Sequence, residues 1–215
     1  MTGAPCVHPR DITEAELKVA ISATGRPDIL KELVSTSRGN FGFFTAHFPH
    51  TLNYPWIVER LLPLAGGSSV LDIGAGVSPV PLLLSSRGLS VTCIDSHPVV
   101  RAFPVAPNWN EWGYFDYGVL DRRINAIHGS VLDHHPVESY DAIYSISVLA
   151  HMTRETREAT IERCWRWLRP GGRLLLAVDL IPASDFLWNR SGGEEVEPLM
   201  RHGTSDDLIT QLQAL

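Results

Sequence analysis

Two carboxylates and two glycines stand in one short stretch of the 215-residue chain, in an order that suits a nucleotide ligand. Asp72 precedes Gly74 by two residues, Ala75 and Gly76 complete a tight turn, and Asp95 follows. That acid lies about 20 residues beyond the turn, the offset at which a strand-end carboxylate meets a bound ribose. Glycine in such a turn tolerates positive φ and lets a ligand approach the backbone. The turn alone does not choose among nucleotides, because dehydrogenases carry one as well. Where a dinucleotide fingerprint wants its third glycine, this chain has Pro79.

The elements that must position these groups read as strand, turn, helix, strand. Val70 to Ile73 is a short apolar run that ends at the glycines. Ser78 can cap the next helix, Pro79 suits its first position, and Val80 to Ser86 forms its apolar body. Arg87-Gly88 stops it, and Val91 to Ile94 leads into Asp95. Further strands are expected at Ile124 to His128, Tyr140 to Ser145 and Leu174 to Val178, with an amphipathic helix over Thr153 to Leu168. Before this core, Asp11 to Thr36 reads as two helices, the first with a Thr13-x-x-Glu16 capping box. Gly39 to Phe44 reads as a packed non-helical segment, Pro55 to Leu64 as a third helix, and Pro98 to Phe103 as a short helix cut off by Pro104. The expected fold is α/β, a doubly wound and mostly parallel sheet, with residues 1–54 as an N-terminal helical or lid extension and 55–215 as the ligand-binding domain.

The run VLDIGAG resembles motif I of the class I S-adenosylmethionine (SAM)-dependent methyltransferases, with Ser78 in place of the motif's third glycine. Two later segments extend the resemblance to about Tyr54 through Asp179. One is the post-fourth-strand run Ile146 to His151, in the variety that methylates small molecules, with Ala150 where many relatives have Glu. The other is the LRPGG turn at Leu168 to Gly172. The resemblance implies a Rossmann-like methyltransferase fold and SAM as cofactor. It places cofactor contacts at Asp72, Gly74, Ala75, Gly76, Asp95, Ser96, Ser130, Val131 and Ser145, with Ser130 standing where the family often has an acid. It implies direct in-line methyl transfer to a small-molecule or glycan acceptor, most simply at oxygen. His151, just past the fourth strand, is then the candidate general base. His47, His50 and Tyr54, ahead of motif I, are candidates for touching the acceptor. An NAD(P)-dependent oxidoreductase shares the glycine turn and Asp95 but is disfavoured by Asp72, Pro79 and LRPGG. A partner subunit without turnover is the remaining alternative.

Composition narrows the partners. The net charge of −6 and the lack of a basic face argue against a nucleic acid held through its phosphates. No run of 18 apolar residues is present, and Met1 to Arg10 lacks the form of a signal peptide, so a cytoplasmic location with no membrane partner is expected. Cys6, Cys93 and Cys164 show no metal-ligand spacing and read as core or free thiols, and no metal is expected.

Two segments stay open. Asn108 to Tyr117 packs five aromatics into a short stretch. They either pack on the sheet edge and N-terminal helices, or line an acceptor pocket through Trp109 and Trp112. After the fifth strand the family's closing β-hairpin has no counterpart, only a loop and a capped helix from Thr204 to Leu212. An uncovered apolar edge strand is a pairing template. Either a second copy or another subunit covers it, or the chain is a shortened form, or Ile181 to Val196 folds back over it.

Overall fold

The computed structural model describes residues 11–100, 113–180, 184–187 and 201–215. Five parallel strands form one sheet: β1 (Ser69–Ile73), β2 (Ser90–Asp95), β3 (Asn125–His128), β4 (Tyr140–Ile146) and β5 (Leu168–Ala177). Their order is β3-β2-β1-β4-β5, so the chain winds outward from β1 first in one direction and then in the other. This reversal opens a crevice beyond the carboxyl ends of β1, β2 and β4, where open α/β sheets bind ligands.

Alternation along the strands divides the core in two. Val70, Val91, Cys93, Ala142 and Tyr144 pack in one cluster with α2 (Pro27–Phe41), α3 (His50–Leu61) and α4 (Val80–Ser86). Leu71, Ile73, Ile94 and Ile143 face the opposite side and pack with Cys164 of α5 (Arg154–Trp167). Helices thus cover both faces, as a parallel sheet requires. An N-terminal helix, α1 (Glu14–Ala23), carries the capping box of Thr13 and Glu16. Among the described residues, no helix is long and apolar enough to cross a membrane, and Cys93 and Cys164 are buried free thiols.

Several boundaries differ from those expected. Helix α2 does not stop at Thr36 but continues through Gly39 and Asn40 to Phe41. Burial of Phe41 outweighs the low propensity of Gly39, and the helix ends only where Gly42 turns left-handed at φ +86°. Helix α3 starts at His50, not Pro55, which sits inside it. His50, Tyr54, Ile57, Val58 and Leu61 form one buried stripe at helical spacing. Pro55, the sixth residue of the helix, forfeits one backbone bond there, and the burial of this stripe outweighs the loss. The expected 54/55 boundary therefore falls within a continuous helix. Pro98 to Val100 are extended, not helical: Val99 bridges Tyr114, and Val100 N–H donates to the Tyr114 carbonyl over 2.8 Å. LRPGG is no turn ahead of the strand but part of β5. The register jumps from Tyr140–Leu168 to Ala142–Arg173, and the extra residues bulge out with Gly171 at φ +80°.

At the C-terminus α6 (Ser205–Gln213) begins at a Thr204–Asp207 capping box and packs on α5 through Leu208 and Ile161. Among the described residues no strand lies outside β5. The segment 181–196, considered above as a cover for that edge, lies largely outside the described residues.

Candidate functional site

A cleft of about 350 Å³ opens at the carboxyl ends of β1, β2 and β4. A wider, open depression of about 570 Å³ between α1 and α2 is lined by Lys31, Val34 and Arg38 and has neither acids nor imidazoles. The chemistry converges in the first.

The floor of the cleft is the turn after β1. Gly74 has φ +72° and donates its N–H to the Ile94 carbonyl over 2.8 Å, and Gly76 has φ +52°. A Cβ on Gly74 would stand 2.4 Å from Val148 Cγ2, so glycine is required there by packing as well as by φ. Gly76 N–H donates to Asp95 Oδ2 over 3.0 Å. The other oxygen, Oδ1, accepts the His97 N–H at 2.7 Å and stands 2.9 Å from His97 Nδ1. Burial would lift the Asp95 carboxyl. The hydrogen bonds from His97 and Gly76 outweigh it and hold the group below its ordinary value. The same carboxylate raises His97. Asp72 contrasts with Asp95. Burial pushes it up to about 8, Asp95 adds to the rise, and the Tyr144 hydroxyl, which makes no full hydrogen bond, offsets a part. The cleft therefore holds one neutral acid and one ionised acid at neutral pH.

Opposite the glycines the wall is aromatic and imidazole-rich. His50 stacks on Tyr54 with ring centroids 4.5 Å apart, and its Nε2 lies 3.3 Å from Nδ1 of the exposed His47. His151 ends the short 3₁₀ turn Leu149–His151 beyond β4. Burial pushes it down to about 4; Asp179 opposes this, and His202 and His97 add to it. Ser147, at the end of β4, adopts φ +59° with its Oγ buried and without a hydrogen-bond partner. A non-glycine residue in that region is strained, and such strain gathers at ligand sites.

Of the residues singled out from sequence, His50, Tyr54, Asp72, Gly74, Ala75, Gly76, Asp95 and His151 line this cleft together, and His47 stands outside the lining. Ser96 follows β2 on the exposed side, away from the lining. Ser130 caps the turn Val131–Asp133 by accepting the Leu132 N–H, and Val131 packs in the core. Ser145 is fully buried and donates to the Ile73 carbonyl over 3.0 Å, joining β4 to β1. Trp109 and Trp112 lie outside the described residues. The end of their aromatic segment does not face the cleft: Phe115 and Tyr117 are buried, edge-on to Phe41 of α2.

The sequence reading missed His97, Ser147, and the pair Arg201 and His202, all of which line the cleft. Arg201 and His202 arrive there through tertiary contacts with no local signature. The fully buried Arg157 of α5 donates from Nη1 to the His202 carbonyl over 2.7 Å and from Nε to Gln211 Oε1 over 2.8 Å. His202 Nδ1 lies 3.0 Å from the Met152 carbonyl.

Residues 71–176 match the family model of a methyltransferase domain. Among curated proteins, the chain is similar to a ubiquinone biosynthesis O-methyltransferase of Xylella fastidiosa, at 29% identity over 76% of this chain and 65% of that protein. It is 27% identical to the protein of the same name from Pseudomonas fluorescens, over 76% of this chain and 66% of the relative. The chain thus spans slightly less than two thirds of these relatives. Among solved structures, a putative methyltransferase from an antibiotic biosynthesis pathway of Anabaena variabilis aligns at 23% identity and a TM-score of 0.48, over 74% of this chain and 60% of that one.

Proposed function

Through residues 71–176 the chain belongs to the class I SAM-dependent methyltransferases, and from that premise we propose that it moves a methyl group from SAM to an oxygen of a small-molecule or glycan acceptor. The observation that carries this reading is the convergence of Asp72, the Gly74–Gly76 turn, Asp95 and a neutral imidazole on one cleft. The names of the curated relatives favour oxygen as the attacking atom.

The groups present fit SAM. Asp95, ionised and at the end of β2, would hold the ribose diol. Asp72 offers a carboxyl beside which a ligand cation would be stabilised, the glycine turn gives close backbone approach, and Ser147 Oγ offers an unused polar group. Ser130, two residues past β3, would flank the adenine. Bound SAM supplies an electrophilic sulfonium methyl whose leaving group needs no further activation. The protein then has to orient the acceptor and exclude water. His151, neutral because burial disfavours its charge, would take the proton of the acceptor hydroxyl. His50 and Tyr54 form the facing wall against which the acceptor lies. An NAD(P) oxidoreductase is not favoured, since the family match and the acid ahead of the glycines both point away from it.

Calorimetric titration with SAM, then an acceptor screen read out by S-adenosylhomocysteine release, tests this. Binding of SAM with no heat from NADH is expected, followed by turnover of a hydroxyl-bearing acceptor. NADH binding without SAM binding would sink the proposal.

A further inference from the structure

Gly76 is gripped from both sides. Its N–H goes to Asp95 Oδ2, and its carbonyl, 2.9 Å away, faces the hydroxyl of Tyr117, a residue 41 positions later that the SAM reading leaves without a role. The same phenol oxygen accepts the Ser78 N–H over 2.7 Å, with the Ser78 carbonyl at 3.1 Å as a second acceptor for its proton. Ser78 occupies the third-glycine position of motif I, and its own Oγ accepts the Val80 N–H over 3.2 Å. Backbone groups of a turn that lacks that glycine are therefore held by a side chain from another part of the chain.

The phenol is built to stay there. Tyr117 is fully buried, lies edge-on to Phe41 and Phe115, and opens a short turn that Asp116 caps through the Gly118 N–H. That turn is tied in its turn to α4, because Asp121 Oδ2 accepts from Ser85 Oγ over 2.7 Å. Burial raises the phenol far above its ordinary value, so it keeps its proton and can donate and accept at once. A hydroxyl placed between two backbone groups in a dry interior fixes both, since losing it would strand a buried donor and a buried acceptor.

We propose that Tyr117 is a positioning residue for the cofactor: by fixing the Gly76–Ser78 turn it sets the Gly76 N–H, and through that N–H the direction of the Asp95 carboxylate. The inference rests on the SAM reading of the cleft. Tyr117→Phe removes one oxygen and leaves the ring packing intact, while Phe115→Leu disturbs the same aromatic cluster and leaves the hydroxyl in place.

The test is calorimetric titration of both variants and the wild type with S-adenosylhomocysteine, beside their melting temperatures. Tyr117→Phe should lose about tenfold in affinity, whereas Phe115→Leu should melt lower yet bind within about twofold of the wild type. Tyr117→Phe binding as the wild type does, or Phe115→Leu losing as much affinity, would overturn the proposal. A wild type that binds no S-adenosylhomocysteine would defeat the methyltransferase reading itself. Amide exchange in the wild type gives a readout that needs no variant to fold. The Ser78 N–H should be protected in the ligand-free protein and more so with S-adenosylhomocysteine, and a freely exchanging Ser78 amide would also overturn the proposal.

Discussion

The Gly76 N–H donates to Asp95 Oδ2 over 3.0 Å, which joins the turn after β1 to the acid at the end of β2 before any ligand arrives. With His97 donating to Oδ1, the carboxylate has a defined direction and a defined charge. Preorganisation of this kind lowers the cost of ordering a site on binding.

Asp95→Asn should therefore weaken SAM binding by about 10- to 100-fold, the loss expected when charge-assisted bonds to a diol are removed. An amide also turns an NH₂ toward either Gly76 or His97, whose N–H groups already point inward. Calorimetry returning wild-type affinity would remove Asp95 from the site.

Much of this site was legible because it is local. Asp72, Gly74, Gly76 and Asp95 fall within one βαβ stretch, where spacing along the chain determines spacing in space. The wall facing them was not. Pro55 reads as a helix start, yet α3 begins at His50 because its buried stripe outweighs one missing N–H. His202 is carried to the cleft by Arg157, 45 residues away in sequence, and Tyr117 reaches Ser78 from 39 residues away. No periodicity or motif encodes contacts at that separation.

Asp72 should make the ligand-free protein weaker as pH rises. In the unfolded chain the carboxyl ionises near pH 4, whereas the folded protein holds the proton up to about 8. Between those values the folded state binds more protons, so stability falls with rising pH. Asp72→Asn should then raise the melting temperature at pH 8 by at least about 2–4 °C, while weakening SAM binding by removing a potential counter-charge. In the wild type, SAM binding at pH 7 should release a proton, seen as a dependence of the calorimetric heat on buffer ionisation enthalpy. A lower melting temperature for the variant at pH 8 would refute this account.

His151 is pushed down to about 4, so its neutral, proton-accepting form is present throughout the neutral range and is lost only as pH falls through that value. His151→Gln should lower kcat by about 10²–10⁴-fold with SAM affinity unchanged. The profile of S-adenosylhomocysteine release against pH, with an acceptor from the screen, checks both. An unaltered kcat would assign the proton to another group.

Arg157→Ala would free the segment that brings Arg201 and His202 to the cleft, leaving the His202 carbonyl and Gln211 Oε1 without their donor. Loss of a fully buried side chain with such bonds costs about 2–4 kcal/mol. The cut should show as a lower denaturation midpoint and faster proteolysis near residue 203. Wild-type resistance on both counts would mean that α6 is held by its other contacts, the Arg154–Asp207 ion pair and the packing of Leu208 on Ile161 among them.

Gly74 offers a test of why glycine stands at the first turn position. A Cβ there would meet Val148 Cγ2 at 2.4 Å and Cγ1 at 2.7 Å, and φ is +72°. Gly74→Ala should cost about 1–3 kcal/mol from overpacking and about 1–2 kcal/mol from backbone conformation. Val148→Ala removes both offending methyl groups but leaves φ unchanged, so the double variant should regain the overpacking part of the lost stability. The cofactor readout then separates two reasons for the glycine. If SAM affinity returns with stability, the glycine is needed for packing between the turn and the segment after β4. Stability that returns without SAM affinity would show instead that the cofactor needs the space in front of Gly74. Since Val148 already fills the position a Cβ would take, the first outcome is expected, and calorimetry on the three variants decides it.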